Sequence, residues 1–193
     1  MPSDIILIGP QTVGKSTIGG LLSEQLNLPQ CSMDEQRWRY YQEIGYDETL
    51  AKQKRDSEGA WGIIQYWKPF EAHAVERVLS EHTHCVIDFG AGHSVYDNPS
   101  LFQRVQTALS SYPNVVLLLP SPDLADSIQI LNERNQHLPE DIRRTNEYFI
   151  RHPSNAKLAK FTVYTQGKAP KETCDDILRL VDKGTGHREG VAR

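Results

Sequence analysis

The chain reads Gly9-Pro10-Gln11-Thr12-Val13-Gly14-Lys15-Ser16 near its N-terminus, and this stretch matches the P-loop pattern Gly-x-x-x-x-Gly-Lys-Ser/Thr. The apolar run Ile5–Ile8 before it predicts a buried strand, and residues 17–22 after it have the apolar spacing of a helix. A strand, a loop and a helix in this order are the context that a P-loop requires. The alternative is a chance glycine turn before a helix.

Each residue type in the loop has a physical role at a phosphate group. Glycine lets the backbone wrap closely around phosphate oxygens, and the N–H groups at the start of the helix face the anion. Lys15 is expected to reach the β- and γ-phosphates, and the Ser16 hydroxyl is expected to bind Mg²⁺. The predicted nucleotide-binding residues are Gly9, Gln11, Thr12, Val13, Gly14, Lys15, Ser16 and Thr17.

Length and charge limit the classes of protein to consider. A chain of 193 residues fits one α/β domain. The net charge of −4 gives no broad basic surface for nucleic acid. No apolar run approaches the roughly 20 residues that span a bilayer, and the first residues lack the pattern of a signal peptide. We therefore expect a cytoplasmic protein with neither nucleic acid nor a membrane as its partner.

Strand-like runs alternate with helical patterns along the chain. The candidate strands lie at residues 5–8, 30–33, 85–88, 115–119 and 161–164, and the candidate helices begin near Lys15, lie within 35–55, and cover about 59–81, 98–111, 122–134 and 170–182. This alternation predicts an α/β fold of the P-loop NTPase type, with a five-stranded parallel sheet between two layers of helices. We expect a single domain over residues 1–183.

Two segments of this domain organisation carry their own predictions. The polar segment at about 133–153 contains several arginines and is predicted to be a mobile lid, with an ordinary solvated helical hairpin as the alternative. The tail at 184–193 is rich in glycine and charge and is predicted to be disordered.

Sites in parallel sheets lie at the carboxyl ends of the strands, where this chain has two aspartates and a glycine turn. Asp88 ends an apolar strand and is expected to hold Mg²⁺ or its water shell, with a helix-cap or turn role as the alternative. Asp34 is expected to align an attacking hydroxyl or accept its proton, although Glu35 competes and an N-cap role stays open. Gly90-Ala91-Gly92 would admit a small substrate, or form a simple turn. His93 is interpreted as a rim residue without a catalytic role.

In these motifs the chain resembles the shikimate kinase family over most of residues 4–182. Besides the P-loop, Ser32-Met33-Asp34 falls on the family's Asp-Ser-Asp triplet, and residues 67–71 fall on its Phe-Arg-x-x-Glu. Gly90-Ala91-Gly92 falls on its triple-glycine loop, and residues 151–159 follow its Arg-x-Pro segment.

The resemblance implies a nucleoside-monophosphate-kinase-like fold and an enzyme that uses ATP with Mg²⁺ to phosphorylate a small molecule. It also implies an acceptor-binding subdomain at about 33–70. Asp34 would contact the acceptor hydroxyl, Lys68 and Arg151 would bind the acceptor carboxylate, and Arg134 is the best-placed candidate for the lid arginine. The implied catalytic residues are Lys15, Asp34 and Arg134, and the implied acceptor-binding residues are Asp34, Lys68, Gly90, Ala91, Gly92 and Arg151.

The departures from the family pattern all affect the acceptor site. Ser32 stands in place of the first carboxylate of the triplet, for which Asp88 is a candidate substitute, so that Ser16 and Asp88 are the expected metal ligands. Lys68 stands in place of an arginine, which keeps the charge but loses the bidentate fork. The segment from Arg37 to Trp67 is longer than in the family and rich in aromatic residues. It predicts either a wall for a larger or flatter acceptor, or local core packing.

The predicted function is an ATP-dependent kinase that phosphorylates a hydroxyl of a small, anionic acceptor. The acceptor is shikimate or another hydroxylated acid, a sugar or a cyclitol. The alternative is a nucleotide-binding regulator of the same fold that lacks phosphotransfer activity and uses the aromatic insertion as a partner surface.

Overall fold

The computed structural model describes residues 4–186, with side chains up to residue 182. The described strands are β1 (Ile5–Ile8), β2 (Gln30–Ser32), β3 (Val86–Asp88), β4 (Val115–Leu119) and β5 (Phe161–Tyr164). They form one sheet in the order β2-β3-β1-β4-β5, and every neighbouring pair is parallel. The predicted five-stranded parallel sheet is confirmed.

Helices cover both faces of this sheet. They are α1 (Lys15–Leu26), α2 (Met33–Glu43), α3 (Glu48–Glu81), α4 (Pro99–Leu109), α5 (Leu124–Arg134), α6 (Glu140–Arg151), α7 (Pro153–Leu158) and α8 (Pro170–Gly186). Strand β1 is buried throughout, and its side chains alternate between the two faces. Ile6 and Ile8 join the core under α2, α3 and α4, whereas Ile5 and Leu7 join the core under α1 and α8. The uniformly apolar run is therefore what a central parallel strand needs.

Short polar residues begin three of the helices. The side chains of Asp47, Asn98 and Asp123 each accept two backbone N–H groups in the first turn of α3, α4 and α5. Such caps satisfy N–H groups that have no partner inside the helix.

The helix bounds differ from the prediction on the acceptor side. The helix predicted within 35–55 is divided between α2 and the start of α3, and α3 kinks at Gly59, where φ is 66°. The segment predicted to be a lid contains α6. Helix α8 continues to Gly186, and the rest of the predicted disordered tail lies outside the described residues.

The topology brings the predicted functional segments to one edge of the sheet. The P-loop follows β1, Asp34 follows β2, and the glycine turn follows β3, and these three strands are neighbours. Ser32 and Asp88 are register partners across β2 and β3. Within residues 4–186, no helix is both long and apolar enough to cross a membrane.

Candidate active site

A cavity of about 790 Å³ lies at this edge of the sheet. Its walls come from the P-loop, the first turn of α2, the middle of α3, the turn after β3, and α6. The lining residues are Gln11, Thr12, Gly14, Lys15, Ser16, Thr17, Asp34, Arg37, Arg55, Ala60, Ile63, Ile64, Trp67, Glu71, Gly90, Ala91, Gly92, His93, Ile142, Thr145 and Phe149. One cavity therefore joins the phosphate-binding loop to the predicted acceptor site.

Six of the eight predicted nucleotide-binding residues line this cavity, and Gly9 and Val13 lie behind it. Val13 is buried in the core that contains Leu7 and Ile18. Gly9 has a φ of 137°, and a Cβ there would lie 2.5 Å from the carbonyl oxygen of Leu118. Glycine at this position is therefore required for the loop to pass close to strand β4.

Lys15 is held against the backbone of its own loop. Its Nζ donates to the carbonyl oxygens of Gly9 and Pro10, at 2.9 and 2.7 Å. Burial lowers the pKa of the Lys15 ammonium to about 8, and the nearby charges of Asp34 and Asp88 oppose this shift. The Lys15 ammonium therefore begins to lose its proton at mildly alkaline pH. A bound polyanion would raise this pKa again, because negative charge favours the protonated form.

Ser16 and Asp88, the two predicted metal ligands, are in direct contact. The Ser16 hydroxyl donates to Asp88 Oδ1 at 2.7 Å, and the Ser32 hydroxyl lies 3.2 Å from the same oxygen. Gln30 Nε2 donates to the second carboxylate oxygen at 2.8 Å. Asp88 thus places a carboxylate beside Ser32, the residue that stands in place of the first carboxylate of the family pattern, because the two residues are register partners.

This set of oxygen atoms fits Mg²⁺. The described residues include no group of three or more His, Cys, Asp or Glu side chains that could hold a metal ion without a ligand. Mg²⁺ in kinases is usually held by one or two protein oxygens together with phosphate oxygens and water. A hydroxyl beside a buried carboxylate at the P-loop supplies such a pair.

Asp34 and the glycine turn form the other end of the cavity. The Asp34 carboxylate is 59% exposed, and its Oδ1 lies 3.6 Å from a guanidinium nitrogen of Arg37. A Cβ at Gly90 would lie 2.6 Å from Asp34 Oδ1, and a Cβ at Gly92 would overlap Glu71 Oε1. Glycine at both positions therefore leaves room for acidic side chains against the turn.

The predicted acceptor-binding cations Lys68 and Arg151 are not among the cavity-lining residues. Lys68 is 5% exposed, and its Nζ donates to Glu71 Oε2 at 2.7 Å and to the Gly92 carbonyl at 3.0 Å. The charge of the Lys68 ammonium is thus paired with that of Glu71 in the protein interior. Arg151 ends α6 with an exposed side chain. The structure therefore brings neither side chain to the cavity, and their role as acceptor ligands stays a prediction.

Polar residues at the end of α5 and in α6 form hydrogen bonds with the P-loop. Arg134 Nη1 donates to the Thr12 carbonyl at 3.3 Å, and Asn135 Nδ2 donates to the Thr12 hydroxyl at 2.8 Å. The buried Asn146 accepts the Gln11 N–H at 2.8 Å. The segment predicted to be a lid therefore rests on the phosphate loop, and Arg134 lies beside it.

Sequence reasoning missed several lining residues that the helical repeat could have indicated. On α3, Ala60, Ile63, Ile64, Trp67 and Glu71 follow the spacing of one helix face. Ile142, Thr145 and Phe149 do the same on α6.

Arg37 and Arg55 are the other missed residues. Arg37 lies one turn after Asp34, stacks on Trp38 and Trp67 at 4.5 and 5.4 Å, and has a buried Nε without a partner among the described residues. Arg55 lies 3.6 Å from Asp141.

His93 is a buried lining residue, so the prediction of a rim position is wrong. It is 1% exposed, and burial lowers its pKa to about 4. Its Nε2 lies 3.4 Å from the Tyr41 hydroxyl. The ring is therefore neutral at physiological pH.

Most of the aromatic residues in the insertion pack against one another. The rings of Tyr41, Tyr46 and Phe70 lie 5.4 to 5.6 Å apart, and Tyr40 and Tyr41 are fully buried. Trp67 is the aromatic side chain of residues 37–67 that lines the cavity. The cluster therefore fits the prediction of local core packing, whereas Trp67 fits the prediction of a wall for the acceptor.

Comparisons with known proteins agree with this architecture. The shikimate kinase family model (SKI: Shikimate kinase) matches residues 11–182. The chain is similar to shikimate kinase from Acinetobacter baumannii in complex with shikimate, with 20% identity and a TM-score of 0.63 over 94% of this chain and 93% of that chain. It is also similar to shikimate kinase from Aquifex aeolicus, with 23% identity and a TM-score of 0.59 over 97% and 99% of the two chains.

A gluconokinase from Sinorhizobium meliloti has the same fold, with 15% identity and a TM-score of 0.55 over 94% of this chain and 95% of that chain. No curated protein sequence matches the chain. The structural likenesses show a shared fold, and the family model covers most of the sequence together with the P-loop lysine. The chain belongs to the shikimate kinase family.

Proposed function

We propose that the protein is a cytoplasmic, Mg²⁺- and ATP-dependent kinase that phosphorylates a hydroxyl of a small anionic molecule. One observation carries this proposal: Lys15 and Ser16 of the P-loop line the same cavity as Asp34. Phosphoryl transfer needs a nucleotide and a hydroxyl acceptor held in line, and this cavity has a polar group suited to each.

At the nucleotide end, we assign the phosphates to the P-loop N–H groups and to Lys15. Ser16 and Asp88 would hold Mg²⁺, which neutralises charge that develops on the phosphate oxygens. Gln30 and Ser32 fix the Asp88 carboxylate through hydrogen bonds. We also assign contact with these phosphates to Arg134, because its guanidinium donates to the Thr12 carbonyl of the P-loop.

At the acceptor end, we assign alignment of the attacking hydroxyl to Asp34, which would also accept its proton. Arg37 and Arg55 replace Lys68 and Arg151 as the ligands of the acceptor's anionic group. Two observations support this replacement: both arginines line the cavity, whereas Lys68 is paired with Glu71. Ile63, Ile64 and Phe149 provide an apolar surface for a ring or a carbon chain.

The alternative function, a nucleotide-binding regulator, has one specific observation in its favour. The cation that replaces the family's carboxylate-binding arginine is turned into a buried ion pair. A chain that had lost its acceptor would tolerate such a change. The Ser16–Asp88 contact at the P-loop favours the kinase, because a regulator without phosphotransfer has less need of a metal-binding pair at the phosphates.

The test is a coupled ADP-release assay with shikimate, quinate, gluconate and myo-inositol as acceptors. We expect at least one hydroxylated acid to be phosphorylated. Asp34→Asn should lower kcat by about 100-fold or more, since general-base groups contribute 10²–10⁴-fold, while the Kd for Mg-ATP stays unchanged. Glu35→Gln, one residue further along α2, is the matched control and should retain activity.

A wild-type protein that binds Mg-ATP but phosphorylates none of these compounds would favour the regulator. Equal rates for the wild type and Asp34→Asn would remove Asp34 from the mechanism.

A further inference from the structure

The break in α3 at Gly59 lies beside the cavity, and the mechanism proposed above gives it no role. Gly59 has φ 66° and ψ −155°, a combination that is almost confined to glycine, and its neighbour Ala60 lines the cavity. A strained backbone persists only where the surrounding structure holds it in place. The groups that hold this break therefore also determine where the second half of α3 lies.

Asp141 of α6 contacts the helix at the point where it begins again. Its Oδ2 accepts the Ala60 N–H at 3.2 Å, and the same oxygen lies 3.6 Å from a guanidinium nitrogen of Arg55, which precedes the break. The first N–H groups of a helix have no partner inside it, and Gly59 has no side chain that could accept one. An aspartate from another helix thus replaces the missing N-cap, and its negative charge is favourable at this end of a helix.

This contact joins two walls of the cavity. After the break, α3 contributes Ile63 and Ile64 to the lining, and Ile142, the residue after Asp141, contributes from α6. Ile63 and Ile64 lie one turn beyond Ala60, and the first turn of a helix opens most easily when its cap is lost. Loss of the Asp141 contact would therefore loosen the apolar part of the α3 wall.

We propose that Asp141 is a positioning residue for the acceptor. It fixes the start of the second half of α3 against α6, and with it the apolar wall that the acceptor meets. Asp141 is not among the lining residues, so it acts through α3. The hydrogen bond to Ala60 carries this role, because the ion pair with Arg55 is half-exposed and such pairs contribute little. The inference rests on the proposed kinase function.

Two substitutions separate the cap from the charge. Asp141→Ala removes both, whereas Asp141→Asn keeps a side-chain oxygen for the Ala60 N–H. Asp141→Ala should raise KM for the acceptor about fivefold, because loss of a typical cap lowers the population of the intact wall by about that factor. Its kcat should stay within about twofold of the wild type. The Kd for Mg-ATP should not change, because α6 keeps its hydrogen bond to the P-loop through Asn146. Asp141→Asn should keep KM within about twofold of the wild type.

Asp47→Ala is the matched control, because Asp47 caps the first half of α3 and does not line the cavity. Both alanine variants should lower Tm by about 2–4 °C, but only Asp141→Ala should raise KM. Hydrogen exchange gives a readout that needs no turnover. The Ala60 amide should exchange about fivefold faster in Asp141→Ala than in the wild type, and at the wild-type rate in Asp47→Ala.

An unchanged KM in Asp141→Ala, or an equal rise in Asp47→Ala, would overturn the positioning role and leave the kinase function intact. Unchanged exchange at Ala60 would overturn it as well. A fivefold rise in KM for Asp141→Asn would do the same, since this variant keeps the cap, and that result holds even if Asp141→Ala does not fold. A wild type that phosphorylates no acceptor would overturn the kinase function and the positioning role together.

Discussion

Binding of Mg-ATP should be accompanied by proton uptake at alkaline pH, because the Lys15 ammonium has a lowered pKa in the free protein. That pKa is about 8, owing to burial of the charge beneath the P-loop. A bound triphosphate places several negative charges on the same ammonium and should return its pKa to the ordinary range near 10. Lys15 is then protonated in the complex at any pH up to about 9.

The magnitude follows from the lowered pKa. At pH 8.5 a group with a pKa of about 8 is about three-quarters neutral, and at pH 7.0 it is about one-tenth neutral. We expect the uptake of about 0.7 proton per nucleotide at pH 8.5 and about 0.1 at pH 7.0. The Kd for Mg-ATP should rise about fourfold over this interval, since the neutral form must first be protonated.

Other groups near the site contribute little to this signal. Burial raises the pKa of Cys31 to about 11 and lowers that of His93 to about 4, so neither titrates near pH 8. The terminal phosphate of ATP, with a pKa near 6, is already ionised at pH 8.5.

Isothermal titration calorimetry in two buffers of different ionisation enthalpy measures the uptake directly. Lys15→Arg is the matched control, because a guanidinium stays protonated over this range and should show no uptake and no pH-dependent Kd. Equal proton uptake by the wild type and by Lys15→Arg at pH 8.5 would refute the reasoning, provided that both bind nucleotide.

Two further predictions concern the buried charges beside the cavity. Lys68→Met should lower the free energy of unfolding by about 3–5 kcal/mol, because it leaves Glu71 buried without its partner, and Lys68→Met/Glu71→Leu should regain most of the loss. Urea denaturation measures the free energy of unfolding of both variants. A loss below about 1 kcal/mol for Lys68→Met would contradict a buried ion pair between Lys68 and Glu71. Asp88→Asn should lower activity at limiting Mg²⁺ by about 10- to 100-fold, and Ser32→Asp/Asp88→Ser should recover part of it, because the two residues are register partners. Rates measured across a Mg²⁺ titration test this, and an unchanged Mg²⁺ dependence in Asp88→Asn would argue against the metal role.

The parts of the fold that were predictable from the sequence are those set by local pattern. The run Ile5–Ile8 is apolar at every position because both faces of a central strand are buried, and the P-loop after it admits few other conformations. The kink at Gly59 was not predictable from the repeat alone. It depends on α6, where Asp141 accepts the Ala60 N–H at 3.2 Å.

The candidate site was predictable in its backbone and less so in its side chains. Asp34 and the turn at Gly90–Gly92 lie on the cavity as expected, because each follows directly from a strand end. Lys68 satisfies a family motif, but its direction depends on Glu71 and on a carbonyl of the glycine turn. Arg37 belongs to no motif and reaches the cavity because Trp38 and Trp67 support its guanidinium.

The sequence by itself determined the phosphate loop, the parallel sheet and the place of Asp34 at the edge of the sheet that carries the cavity. These features depend on residues that are adjacent in the chain, so a local sequence pattern is enough to predict them. Only the tertiary structure decided which cations line the cavity and which are paired in the interior. It also decided that His93 is buried beside Asp34. A side chain's direction depends on helix rotation and on partners from distant segments, and neither is encoded in a local motif.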